Sequence, residues 1–93
     1  MTRDEILNAA KECVCGDREE DYGTPENNFS TIASLWNTYL WAAHNGHHIT
    51  LYSKDVAAMM ALLKIARITS GHGKSDNWID LCGYAACGGE LDK

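Results

Sequence analysis

The sequence predicts an all-α fold, and three observations lead there. Only one proline, Pro25, and two valines, Val14 and Val56, occur in 93 residues. No long run alternates apolar with polar residues as a half-buried strand would. Apolar residues instead recur at spacings of three and four, the period of a helix packed on one face. Start and stop signals then divide the chain into four such segments.

The first segment opens at Thr2, three residues before Glu5, the spacing of a capping box, and stops at Gly16. Ile6, Ala9, Ala10 and Cys13 make its apolar stripe. A charged connector, Asp17 to Gly23, follows. Thr24 is placed to cap a second helix with Pro25 at its first position, and Asn45-Gly46 ends it. Phe29, Ile32, Ala33, Trp36, Leu40 and Ala43 recur along it at helical spacing. Ser53 is the expected cap of a third helix, about 54–69, which is apolar nearly all round and so should be central and the most buried. Ser70 to Lys74 reads as a glycine-containing turn. Ser75 is the expected cap of a fourth helix that runs from Asp76 to about Cys87 and is stopped by Gly88-Gly89.

Length and composition fit one small domain spanning residues 1–93, with 45% apolar and 23% charged residues. So short a chain buries a modest core, and self-association would help it; a homo-oligomer is expected. A net charge of -5 argues against non-specific binding to nucleic acid, which needs a basic face. No apolar run is long enough to span a membrane, and Met1 to Glu5 lack the apolar segment of a secretory signal; a cytoplasmic protein with no membrane partner is expected. The cysteines lie as Cys13/Cys15 and Cys82/Cys87, neither with zinc-knuckle spacing, and read best as reduced thiols.

The residues that carry chemistry are charges set among apolar helix positions. Lys64 and Arg67 lie a turn apart on the third helix. Asp76 and Asp80 are four apart on the fourth, and Asp80 is the only charge within Trp78 to Ala86. Such a charge is costly unless it meets a counter-charge, a metal or a ligand. The two helices are therefore expected to lie side by side with these four residues in one cluster. Gly83, one turn beyond Asp80, has two readings: tight helix packing, or room for a phosphate, base or metal. In the connector, Glu19 and Glu20 are candidate oxygen ligands for a divalent cation, or a solvated run. Arg18 is a candidate phosphate clamp and Tyr22 a candidate stacking partner for a base. No P-loop, nucleophile elbow or dinucleotide fingerprint is present.

Tyr22-Gly23 before a helix, Lys64-x-x-Arg67, and Asp76-Asn77-Trp78-Ile79-Asp80-Leu81-x-Gly83-Tyr84-Ala85 resemble a family of small phage and prophage proteins over about residues 3–91. The last stretch also resembles the nucleotide-modification-associated domain, a remote relative of MazG-like all-α nucleoside triphosphate pyrophosphohydrolases. The resemblance implies a MazG-like helical, oligomeric fold that binds nucleotides. In its catalytic members it implies carboxylates holding magnesium against a triphosphate, where the metal offsets phosphate charge and lowers the pKa of bound water. Carried over residue by residue, it makes Asp76 and Asp80 catalytic and, with Glu19 and Glu20, magnesium ligands. Arg18, Tyr22, Lys64, Arg67, Asn77, Trp78 and Gly83 become substrate contacts. The chain departs from MazG-like enzymes where they carry a further glutamate pair: the corresponding helix here has Lys64 and Arg67 instead. Three readings follow. One is a magnesium-dependent hydrolase, one a module that captures a nucleotide without turnover, and one an interaction protein that docks a partner through Trp36 or Trp41.

Overall fold

The computed structural model describes residues 1–16, 25–46, 49–71 and 74–92, and every described element is helical: α1 Arg3–Cys15, α2 Pro25–Ala43, α3 Ser53–Thr69 and α4 Lys74–Leu91. The capping box of α1 forms as its spacing dictates. The Glu5 backbone N–H donates to Thr2 Oγ1 at 3.2 Å, and the Thr2 N–H donates back to Glu5 Oε1 at 3.1 Å. Those bonds from the Thr2 backbone and side chain hold the Glu5 carboxyl below its ordinary pKa. Helix α2 closes where Asn45 and Gly46 take positive φ of 54° and 83°, with the Gly46 N–H donating to the Trp41 carbonyl at 2.9 Å.

Two helix boundaries differ from expectation. Ser53 is the first residue of α3 rather than its cap. Tyr52 takes the cap position, and its backbone N–H donates to Asp55 Oδ2 at 2.8 Å, the returning bond of a capping box. Helix α4 begins at Lys74, ahead of the expected Ser75 cap, and runs through Gly88-Gly89 to Leu91. Gly88 is there for contact: a Cβ added to it would lie 3.1 Å from Ala57 Cβ. A glycine that admits a neighbouring helix need not end its own.

The helices pack in the order α2, α3, α4, α1, with α3 against both α2 and α4, α1 resting on α4, and α2 also reaching α4. The molecule measures 47 × 31 × 23 Å. Three contacts fix α3 and α4 as antiparallel: Lys54 Nζ to Asp92 Oδ1 at 3.2 Å, Ala57 beside Gly88, and Lys64 Nζ to Asp80 Oδ2 at 2.9 Å. The core is small. Phe29, Ala33, Val56, Ala57 and Cys87 are buried together, walled by Val14, Ile32, Trp36, Met60, Tyr84 and Leu91. Phe29 and Tyr84 meet with ring centroids 6.2 Å apart, within aromatic contact range.

Helix α3 was expected to be the central, most buried helix, but α4 is the one that packs on all three others, and α3 is not enclosed. Val56 and Ala57 are buried, whereas Met59, Leu62, Leu63 and Ile65 stand exposed. A row four helices wide covers the sides of α3 that meet α2 and α4, and no described element of the single chain covers the rest.

Candidate functional site

The segment between α2 and α3 is pinned by a side chain that sequence reasoning missed. Asn37, buried on α2, donates through Nδ2 to the Leu51 carbonyl at 2.9 Å and accepts from the Leu51 N–H at 2.8 Å. An asparagine between Trp36 and Thr38 on the inward face was the available signal, since a buried amide needs a partner. Trp41, half-buried, donates its indole N–H to the Ile49 carbonyl at 3.3 Å. Trp36 packs against the core cluster. Neither is the exposed docking aromatic that the interaction reading expected, because both are engaged in holding α2 to its surroundings. Among the described residues the exposed aromatics are Tyr39, Tyr52 and Trp78.

The charge cluster assembles in part. Lys64 is buried in the α3–α4 seam, and its ammonium meets the Asp80 carboxylate at 2.9 Å, with side-chain exposures of 11% and 27%. Burial of a cation in so apolar a helix is tolerable because this counter-charge is within hydrogen-bond reach. Arg67 and Asp76 are exposed, and among the described residues neither forms an ion pair. The α3–α4 register continues past Lys64–Asp80 and puts Arg67 level with the first turn of α4, where Asp76 and the buried Asn77 lie. Trp78, next in sequence, is half-exposed. Lys64, Arg67, Asn77, Trp78 and Asp80 therefore share one end of the α3–α4 pair.

Gly83 faces elsewhere. A Cβ added there would lie 3.1 Å from Val14 Cγ1, so the space beside this glycine is filled by α1. Of its two readings, the geometry is that of close helix packing. Arg18, Glu19, Glu20 and Tyr22 lie outside the described residues, as do the Thr24 cap, His47, His48 and His72. Among the described residues no three His, Cys, Asp or Glu side chains converge as metal ligands would. Cys87 is buried, Cys13 and Cys82 are half-buried and Cys15 is exposed, and no disulfide joins them. An open groove of about 380 Å³, floored by Ala57, Ala58, Ala61 and Ala85, runs between α3 and α4 at the opposite end, beside Lys54 and Asp92. It is separate from the Lys64–Asp80 pair. Among the described residues no helix is long and apolar enough to cross a membrane.

Comparison with known proteins finds phage relatives of this chain. Gene 55 protein of Mycobacterium phage L5 is 41% identical over 88 residues, which is 95% of this chain and 51% of that protein. Gene 55 protein of Mycobacterium phage D29 is 37% identical over 82 residues, 88% of this chain and 50% of that one. The chain thus spans about half the length of these relatives. No solved structure matches it. The model of the domain of unknown function DUF6378 matches residues 5–92, nearly the whole chain, and the protein belongs to that family.

Proposed function

We propose that this phage-type protein is a nucleotide-capturing module that holds a phosphate-bearing ligand at the Lys64 end of α3 and α4 without hydrolysing it. The observation that carries the reading is the Lys64–Asp80 ion pair. Asp80 already meets an ammonium through Oδ2, so a magnesium ion at this carboxylate would have to sit beside the charge of Lys64. A hydrolase of the MazG-like kind needs its carboxylates on the metal. A binder needs cations, and Arg67 stands exposed one turn further along, level with the N-terminal turn of α4, where the helix dipole favours an anion. In this reading Arg67 meets phosphate, Lys64 adds its positive charge from its place beside Asp80, and Trp78 offers a face to the base. Arg18 and Tyr22 would contribute from the connector.

The test is a nucleotide panel, with and without magnesium, read by melting temperature and by pyrophosphate release. The expected result is a magnesium-independent rise in melting temperature with no pyrophosphate. A ligand held at a hundred times its dissociation constant adds about 2.7 kcal/mol, enough to see. Arg67→Glu should abolish the shift. Magnesium-dependent turnover lost on Asp80→Asn would replace this reading with the hydrolase. Silence in both channels would leave the charge pair a purely structural device.

A further inference from the structure

Two size measures say that this chain is incomplete as a solitary body. Its accessible surface is 6640 Å², whereas a self-sufficient monomer of its mass exposes about 5,400 Å², an excess of roughly 1,200 Å². Its radius of gyration is 14.5 Å, against about 12 Å for a compact chain of this length. A standard protein interface removes about 800 Å² from each partner. The excess is of the size that one such interface covers.

Leu35, Tyr39, Ile49 and Tyr52 are exposed too, but one part of the uncovered surface forms a continuous helix face. Along α3, Asp55, Met59, Leu62, Ala66 and Thr69 follow one another at spacings of four, three, four and three, the seam pattern of two packed helices. Ala58, Leu63 and Ile65 flank that seam, and from residue 56 to 69 it carries no charge. Leu62, at its midpoint, is 65% exposed, and Met59, Leu63 and Ile65 are 42–45% exposed. Exposed leucines scattered singly need no explanation, but a whole apolar helix face does.

We infer that the Met59–Leu62–Ala66 face of α3 is the seam of a two-fold dimer with a second copy of this chain, the two α3 helices running antiparallel across Leu62. The occupant is a second copy because the seam is self-complementary about its centre. A two-fold axis at Leu62 sets Leu62 on Leu62, Met59 of one copy against Ile65 of the other, and Ala58 against Ala66, so small residues meet where the backbones must approach. The direction follows from charge. Parallel helices would set Asp55 against Asp55, while antiparallel ones set each Asp55 beside a neutral Thr69 and oppose the helix dipoles favourably. The proposal is independent of nucleotide capture, since none of these residues is assigned to that site.

Sedimentation equilibrium of the intact chain tests it. The wild type should sediment at twice its 10.3 kDa. Leu62→Glu should weaken the dimer by at least about a hundredfold, because it buries two facing carboxylates. Leu35→Glu, on an equally exposed leucine of α2, should leave the dimer intact. Thr69→Lys should tighten it several-fold and Thr69→Asp weaken it, the reverse of what a parallel seam predicts for the lysine. Because a dissociated copy can unfold, the wild-type melting temperature is read at rising concentration as well, and it should climb. A 10.3 kDa wild type with a concentration-independent melting temperature overturns the inference. So does a dimer broken by Leu35→Glu and untouched by Leu62→Glu.

Discussion

Lys64→Met is the perturbation that weighs the central ion pair. Methionine keeps the length and apolar stem of the side chain but removes the ammonium, leaving Asp80 without its partner in the α3–α4 seam. Breaking a fully buried pair costs about 3–5 kcal/mol, and exposed pairs are worth at most about 1 kcal/mol. With side-chain exposures of 11% and 27%, the Lys64–Asp80 pair falls between, and the expected loss is about 2–3 kcal/mol. In a domain of this size that is a fall in melting temperature of roughly 10–20 °C. The double variant Lys64→Met/Asp80→Leu replaces the pair with apolar groups of similar bulk, and should recover to within about 1 kcal/mol of wild type. The assay is a double-mutant cycle by urea unfolding at fixed protein concentration. A coupling energy above about 1.5 kcal/mol is expected. Additive single effects would refute the claim that the pair, rather than each side chain's own packing, holds the seam.

Other outcomes follow from local geometry. Asn37→Leu removes both hydrogen bonds to the partly buried backbone of Leu51, so it should cost about 1–3 kcal/mol by urea unfolding. Gly88 and Gly89 are neighbours with opposite expectations. Gly89→Ala meets nothing within 4 Å and should stabilise by about 0.5–1 kcal/mol through helix propensity. Gly88→Val pushes branched carbons at Ala57 and should destabilise by about 1–3 kcal/mol. Since folding lowers the Glu5 pKa, its capping contribution is present above the unfolded value near 4.5 and is lost as pH falls through the lower folded value. Circular dichroism of Glu5→Gln should show less loss of stability across that acid window than wild type.

The fold was legible where local signals and burial agree. The Thr2–Glu5 box and the Asn45-Gly46 stop act locally, so they form wherever the chain is helical. The pairing of α3 with α4 was legible from Lys64 and Asp80, because each is a charge in a run that otherwise excludes charge. What the sequence concealed depends on distant contact. Gly88 looks like a stop until Ala57 is seen against it, and Gly83 looks like ligand space until Val14 fills it. Local pattern cannot separate a glycine that ends a helix from one that admits a neighbour. The all-round apolar character of α3 was read as enclosure, yet it records the number of faces to be covered, not whether one chain covers them all. Of the expected site, Lys64 and Asp80 were found by that charge argument, while the connector residues offered only residue type, which says nothing of reach.

That same apolar character gives the ion pair its reason to exist. A helix lined with alanine, leucine and methionine on most sides has little to distinguish one axial position against its neighbour from the next, because apolar packing is non-directional. A slip of α3 along α4 by one helical turn, about 5.4 Å, would exchange alanines for other alanines at little cost. It would also draw Lys64 away from Asp80 and leave a buried ammonium facing hydrocarbon, which burial makes expensive. Lys54–Asp92 at the far end is half-exposed and too weak to forbid such a slip alone. The buried pair forbids it, and with it come the placement of Gly88 on Ala57 and the orientation of the bare face of α3. If Lys64→Met/Asp80→Leu retains stability but holds α3 against α4 in mixed registers, seen as heterogeneous amide exchange, the pair specifies alignment. A double variant with a single exchange pattern would show that shape alone sets the register.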